Sequence, residues 1–357
     1  MRYIKKYVPG SNEPLYIGNG IWSKDRKKVA KFVQPRSQAI ANIFSPIINN
    51  MSTKVTSEVL NLGEHPLEDN SIQKLEDYET KISNPDTEQN PRFTIDYTDQ
   101  WVLLSKAYLQ FTGKLVKNDD TDYGADDNIA FVNNGIMQLF QRAEYKVDNQ
   151  VIERVENPGD ATLITSLVDY PADYVEAMGD TLMIAKDTGA NLTAAANTGF
   201  VARKKYHNFD ACILLSHIFR FTKDVRKAFC GMTHSVELVR KTGPNDALLH
   251  AADVDTGKVK FTSMSLWMPR VTPSDKANAK LLKFMQSKQT IQAPFEQIKY
   301  FDKAFDDMRD ITWNISDFTP TDRPRHVFIA FRLRAAENNQ EQNNAVFSPC
   351  ALTLVLR

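Results

Sequence analysis

The chain has 357 residues, longer than one ordinary domain, so two lobes are the default expectation. Apolar residues make up 42% and charged residues 25%, the balance of a folded globular chain; 44 basic side chains offset 44 acidic ones, which excludes a protein that binds polyanions over its whole surface. There is no apolar run of about 18 residues to cross a membrane, the start MRYIKKYVPG lacks the apolar stretch of a signal peptide, and three cysteines (Cys212, Cys230 and Cys350) are too few for a disulfide scaffold and fit a reducing compartment.

Net neutrality hides an asymmetry. Residues 1–36 hold nine basic side chains, among them Lys5, Lys6, Lys24, Arg26, Lys27, Lys28, Lys31 and Arg36, against the acidic Glu13 and Asp25. Residues 52–100 reverse the sign, with eleven acidic side chains against four basic. Segment 1–90 reads as an N-terminal arm, extended and partly disordered, with a short helix near 37–49. Such a basic tail is either a solvated charge pattern or a contact for nucleic acid, and the eight cations from Lys5 to Arg36 are the candidate contacts.

From Arg92 the texture is that of strands. After RFTIDY comes QWVLLSKAYLQFTGKLVKN, with Trp101, Leu103, Ala107, Leu109, Phe111 and Leu115 on one face and Lys106, Gln110, Thr112 and Lys114 on the other. Period-two alternation predicts one strand of roughly 50 Å at about 3.3 Å per residue. The acidic loop NDDTDYGADDN follows. IMQLFQRAEYKVDNQVIERV then reads as paired strands turning at Asp148-Asn149. Asn157-Pro158-Gly159-Asp160 breaks the pattern, and Asp160 is placed to cap a short helix, ATLITSLV. The Gly-, Ala- and Thr-rich stretch 171–202 reads as a long excursion loop. Three further strands are expected in YHNFDACILLSHIFRFT, THSVELVRK and KVKFTSMSLWMP. Trp101, Leu103, Leu109, Phe111, Ile213, Leu215, Val236 and Leu238 are the expected core.

A helix is predicted over 273–288, capped by Ser274 or Thr272, with Pro273 in its first turn. Its apolar stripe, Ala277, Leu281, Leu282, Phe284 and Met285, is narrow and lies among lysines. Such a helix packs on one side only, leaves Lys280 and Lys283 in water, and serves to link two lobes. The strand pattern then returns in IQAPFEQIKYFDKAF, in ITWNISDF (Ile311, Trp313 and Ile315 in phase), in PRHVFIAFRLRA (Val327, Ile329, Phe331 and Leu333 in phase) and in CALTLVLR. These are about four patterns, too few for an eight-stranded lobe. The expected organisation is therefore all-β: arm 1–90, first sandwich 91–271, linking helix 272–289 and an incomplete second sandwich 290–357, completed by a longer chain or by another molecule.

Candidate chemistry is thin. In the loop 118–128, Asn118, Asp120 and Asp122 alternate as in a calcium loop, but Tyr123 and Ile129 stand where the EF-hand needs Gly and Glu. His207, Cys212, His217, Cys230 and His234 are near in sequence without paired ligand spacing, and Cys212 and His217 have opposite parity in a strand. Gly18-Asn19-Gly20 lacks the lysine and the preceding strand of a phosphate loop. Trp101, Trp267 and Trp313 are core anchors or, less often, a sugar-stacking platform. No catalytic, cofactor-binding or metal-ligating set is read from the chain.

The order of DQWVLLSKAYLQFTGKLVK, FVNNGIMQLFQRAEYKVDNQVIE, MTHSVELVRKTGPNDALL, KVKFTSMSLWMPRVTPSDKANAK, PFEQIKYF, PRHVFIAF and NNAVFSP resembles the major capsid proteins of polinton- and adintovirus-like elements and their endogenous copies in animal genomes, over roughly 92–357. The resemblance implies a double jelly roll without enzymatic activity or cofactor. It implies homotrimeric, pseudo-hexagonal capsomers and a virion location after assembly inside the host cell; it does not cover residues 1–90, whose basic charge is what suggests packaged DNA as a partner for the arm. A single-jelly-roll minor capsid or penton protein, a carbohydrate-binding jelly-roll module and a cupin-like enzyme are the alternatives.

Overall fold

Strands with one apolar face bury it only by pairing edge to edge and stacking face to face, and the two layers fix where each alternating residue ends. The computed structural model describes residues 5–6, 15–18, 21–23, 72–96, 99–124, 126–188, 196–287, 292–304, 313, 315, 324, 326–332 and 337–343. The chain divides into two units, 1–55 and 56–357.

In the first unit, β1 (Lys5–Lys6), β2 (Leu15–Gly18) and β3 (Ile21–Ser23) form an antiparallel sheet in that order. Gly18 pairs with Ile21, and this pairing of β2 with β3 corrects the reading of the stretch as extended arm. The helix expected near 37–49 lies outside the described residues.

The second unit begins with β4 (Ile72–Lys81), β5 (Arg92–Ile95), β6 (Trp101–Val102), β7 (Tyr108–Lys117), β8 (Ile129–Phe131), β9 (Phe140–Val147) and β10 (Gln150–Glu156). After a helical stretch come β11 (Asn208–Leu214), β12 (His234–Arg240), β13 (Leu248–His250) and β14 (Gly257–Pro273). One sheet has the order β11-β7-β14-β4, with β6 also on β14; a second has β10-β9-β12-β5; β8 and β13 form a separate pair. All pairings are antiparallel. Three pairs are nested in sequence: β7 with β14, β8 with β13, β9 with β12. The chain thus doubles back on itself strand by strand, which is the wrapping of a jelly roll, and β7 to β14 are its eight strands.

Between the sheets lies one core. Leu109 and Phe111 of β7, Ile213 of β11 and Leu266 of β14 share it with Phe93, Phe140, Tyr145, Val236 and Leu238 of the other sheet. The Phe111 and Phe140 rings meet across it at 5.8 Å. Burial of each such side chain is worth about 1.5–3 kcal/mol. All eight expected core residues are buried, from Trp101 to Leu238. Gly113 occupies an inward position of β7 because its cross-strand partner Phe209 fills the space; a Cβ there would lie 2.7 Å from the Phe209 ring.

Several expectations are corrected. β4 falls in the stretch read as arm, yet it pairs with β14 along Ser265–Pro273. The long strand 101–117 is broken by a helical turn at Leu104–Lys106. Leu103 and Leu104 are both fully buried there, so the chain enters the core instead of running along a sheet face. Residues 171–202 are not all loop: α1 (Pro158–Asp169) is followed by α2 (Ala172–Leu182) and α3 (Thr198–Lys204). The Asn197 side chain caps α3, accepting from the Gly199 and Phe200 amides. β11 ends at Leu214 and the chain turns helical over Leu215–Ile218 and Arg220–Asp224. The hairpin at Asp148-Asn149 holds as read: Val147 pairs with Gln150, and both turn residues have positive φ, 47° and 65°.

Helix α4 (Asp275–Gln286) has the expected Ser274 cap, its Oγ accepting from the Ala277 amide, but Pro273 ends β14 instead of entering the helix's first turn. Ala277 and Leu281 are buried, while Lys280 and Lys283 are exposed. Leu282 and Met285 are half in water, so the buried stripe is narrower than expected. Beyond α4 the described residues carry no strand. Segment 292–304 instead lies against the first-lobe core through Ala293, Phe295, Ile298 and Tyr300. Val327, Phe328 and Ile329 are all exposed, and so are Trp313 and Ile315. Alternation in a sequence shows which face a strand would bury, but among the described residues these segments have no partner strand to hold them extended.

Candidate functional site

The chemistry-bearing groups of this chain sit at joints between the jelly roll and the segments that cross it. At the first joint, α1 opens three residues earlier than expected, with Asn157 in the left-handed region and Pro158 as the first helical residue. Asp160 is therefore not a cap. Its buried carboxylate accepts from Gln138 Nε2 at 2.8 Å on one oxygen, and from the Tyr300 hydroxyl at 3.2 Å and Arg332 Nη1 at 3.0 Å on the other. Burial first, then the Asp160 charge, holds the Tyr300 phenol protonated far above its ordinary value, as a donor must be.

The second joint uses a side chain as a strand. Gln340 Nε2 donates to the Gly257 carbonyl at 2.9 Å, and Gln340 Oε1 accepts from the Gly257 amide at 3.0 Å. The glutamine amide thus copies the exchange of a ladder pair. Nε2 also donates to Asn245 Oδ1, and the His250 amide donates to the Gln340 carbonyl. The Asn338 amide adds a bond to Asp246.

The third joint is an ion pair inside the protein. Arg203 of α3 is 1% exposed. Its Nε donates to the Phe131 carbonyl at 2.8 Å, Nη1 to Asn133 Oδ1 and the Ala185 carbonyl, and Nη2 to Asp187 at 2.7 Å. Asp187 also accepts from the Asn133 and Asn343 amides. This is the geometry in which a buried pair is tolerated, with the guanidinium fork filled.

At the fourth joint a bulge in β10 turns Glu153 inward: Val151 pairs with Lys146, Glu153 with Tyr145. Its carboxylate accepts from the Arg220 and Phe221 amides at 3.0 and 2.8 Å. The outer face of the same sheet is a charge lattice. Buried Glu144 lies among Arg142, Lys146 and Arg154, and Lys146 also meets Glu237. Burial alone would raise Glu144, but Lys146, Arg154 and Arg142 outweigh it and hold the carboxyl below its ordinary value.

Of these groups only Asp160 was singled out in the sequence, and as a helix cap. Of the candidate nucleic-acid contacts, Lys5 and Lys6 lie in β1, while Lys24, Arg26, Lys27, Lys28, Lys31 and Arg36 lie outside the described residues. The acidic loop is engaged by lysines, Asp122 by Lys114 and Asp120 by Lys258 and Lys260. Cys212 and His217 are both buried, but His217 sits in the helical turn and bonds the Tyr170 hydroxyl at 3.0 Å. Trp101 is buried; Trp267 stacks on Tyr108 and donates to Gln110; Trp313 is exposed, so the three share no platform. Among the described residues no helix is long and apolar enough to cross a membrane.

Residues 129–356, from β8 onward, match the family model described as a double jelly roll-like domain. The chain belongs to the double jelly roll-like domain family. No curated protein matches this double jelly-roll chain. Among solved structures it is similar to a chain of the Sputnik virophage, with 14% identity and a TM-score of 0.40 over 60% of this chain and 51% of that one. The PBCV-1 virus capsid gives 10% identity and a TM-score of 0.38 over 61% and 46%, and the Faustovirus major capsid protein 9% and 0.35 over 71% and 66%. The double jelly-roll chain spans about half the length of the first two of these.

Proposed function

We propose that this chain is a structural capsid protein, the double jelly-roll major capsid protein of a polinton- or adintovirus-like virus, with no catalytic role. Membership of the double jelly roll-like family over 129–356 carries the reading. The nested strand pairing and the sequence resemblance to capsid proteins support it. A shell subunit needs a stiff body whose sheet edges are covered and side surfaces that meet copies of itself under symmetry. Satisfied polar joints stiffen the body without any reacting group. The chain assembles in the host cell, closes into trimers and resides in the virion. Size-exclusion chromatography with light scattering on purified protein tests this. A homotrimer with an obligate interface, over about 2,000 Å² of buried surface, is expected. A monomer at micromolar concentration that binds glycans overturns it.

The basic N-terminal stretch is proposed to contact the packaged DNA through Lys5, Lys6, Lys24, Arg26, Lys27, Lys28, Lys31 and Arg36. In a DNA mobility-shift assay, full-length protein is expected to bind and to release steeply with salt, while protein starting at Thr53 loses the binding. Equal, salt-independent binding by both removes the idea.

A further inference from the structure

Between β11 and β12 the segment 215–232 is broken: two short helical turns, Leu215–Ile218 and Arg220–Asp224, give way to extended backbone at Val225. Its sequence fits one continuous helix better. Wound at about 100° per residue, Ile218, Phe221, Val225, Phe229 and Met232 fall on one face, and Arg220, Lys223 and Lys227 fall on the opposite one with Arg226 beside them. A buried histidine stands at each end of the segment. His217, in the first turn, stacks on Tyr170 at 5.8 Å and bonds its hydroxyl through Nδ1. His234, the first residue of β12, meets the Phe229 ring edge-on at 5.8 Å. Its Nδ1 bonds the hydroxyl of Tyr145, whose ring packs on Phe219 and Phe221 at 5.7 and 5.4 Å. Both Nε2 atoms are buried without a hydrogen-bond partner among the described residues. An imidazolium in either place would lack a second acceptor and a contacting carboxylate, which makes it costly. Around His217 the charged or titratable groups are Lys106, Asp169, Cys212, Arg220, Lys223 and Asp224, with Asp169 already engaged by Arg220 and Lys223. Around His234 they are Asp96, Asp148 and Cys230, beside Tyr145.

We propose that segment 215–232 is a latent membrane-binding helix, held folded away while His217 and His234 are neutral and freed when both take up protons. Once freed, its cationic face meets anionic headgroups and its aromatic and aliphatic face enters the acyl boundary. Burial lowers both rings from the ordinary 6.5 to about 4; the Arg220 and Lys223 charges add to this at His217, and Asp148 opposes it at His234. The seat is therefore at full strength above pH 6.5 and is lost as pH falls toward 4. Glu153, which accepts from the Arg220 and Phe221 amides, has the opposite sign, because burial raises it to about 7 and release would hydrate it. Two protons against one leave a net dependence of at most about tenfold per pH unit.

Hydrogen exchange on the full chain, corrected for intrinsic rates, tests this between pH 7 and 5. The reporters are the Lys223, Val225 and Phe229 amides, which donate to the Phe219, Phe221 and Val102 carbonyls; the Leu238 amide of β12 is the reference. Protection of the three is expected to fall by up to about tenfold per pH unit while that of Leu238 holds. At pH 5, vesicles of mixed phosphatidylserine and phosphatidylcholine are expected to slow exchange at Arg226, Lys227 and Ala228. Those amides have no backbone acceptor in the seated segment among the described residues, and a helix supplies one. Phosphatidylcholine vesicles are expected to leave them fast, and R226E/K227E to leave them fast on either kind. Attachment of the basic N-terminal stretch alone to the vesicles would not slow them. A flat wild-type profile, a fall shared equally by Leu238, or fast exchange at 226–228 on the anionic vesicles overturns the proposal. Should R226E/K227E fail to fold, added salt takes its place, since it screens the headgroups; slowing that survives the salt overturns the proposal as well.

Discussion

Asp187→Ala is expected to destabilise the protein by about 3–5 kcal/mol, the cost of leaving a buried guanidinium without its carboxylate. Arg203 is 1% exposed, and its Nη2 has Asp187 as ion-pair partner at 2.7 Å. The surroundings leave little room for water to replace it. A Cβ on Gly199 would already lie 2.7 Å from Asp187 Oδ1 and 2.6 Å from the Lys186 carbonyl. Arg203→Met is expected to cost nearly as much, since the Phe131 and Ala185 carbonyls and Asn133 Oδ1 lose their donor. The double variant is expected to cost less than the sum, because each change removes the same interaction. Urea unfolding of the four proteins measures this. Additive losses, or a loss below about 1 kcal/mol for Asp187→Ala, would show the pair to be bathed in solvent.

The second large effect is acid destabilisation set by two histidines and opposed by one glutamate. Burial lowers His217 from its ordinary 6.5 to about 4, helped by the Arg220 and Lys223 charges. Burial lowers His234 from 6.5 to about 4, with Asp148 pulling the other way. Each ring makes one hydrogen bond through Nδ1, to Tyr170 and Tyr145 respectively, which leaves little to hold a second proton. Between pH 6.5 and 4.5 the unfolded chain comes to hold nearly two protons that the folded protein mostly refuses. Glu153, raised by burial to about 7 from an unfolded 4.5, has the opposite sign, because the folded protein takes that proton first. The net difference approaches one proton, about 1.4 kcal/mol per pH unit, so roughly 2 kcal/mol of stability is lost across the window. Paired carboxylates such as Asp169 and Glu144 have lowered values, and their contribution is lost further down the scale. Unfolding free energies at pH 6.5, 5.5 and 4.5 read the slope directly. His234→Phe should flatten it to near zero, and Glu153→Gln should about double it. A slope that ignores both changes would mean that these groups are hydrated in the folded protein.

How much of this was legible follows from what each signal depends on. Parity within a strand is local, so the burial of Leu109, Phe111, Val236 and Leu238 could be read directly, together with the Asp148-Asn149 turn and the Ser274 cap. The all-β class followed from those same periods. Pairing is not local. Ile72–Lys81 is charged and short of apolar residues, and it is a strand because the edge of β14 accepts it. The second-lobe patterns show the converse: Val327 and Ile329 alternate in sequence, yet no partner strand receives them among the described residues. The joints were the least visible. Asp160 meets Arg332 across 172 residues, Gln340 meets Gly257 across 83, and Arg203 meets Phe131 across 72. A polar side chain becomes buried, paired or shifted in pKa only through neighbours the fold delivers. The sequence by itself therefore determined the strands' faces, turns and caps, which depend on adjacent residues; only the tertiary structure decided which edges pair and which charges are enclosed, because those energies depend on groups far apart along the chain.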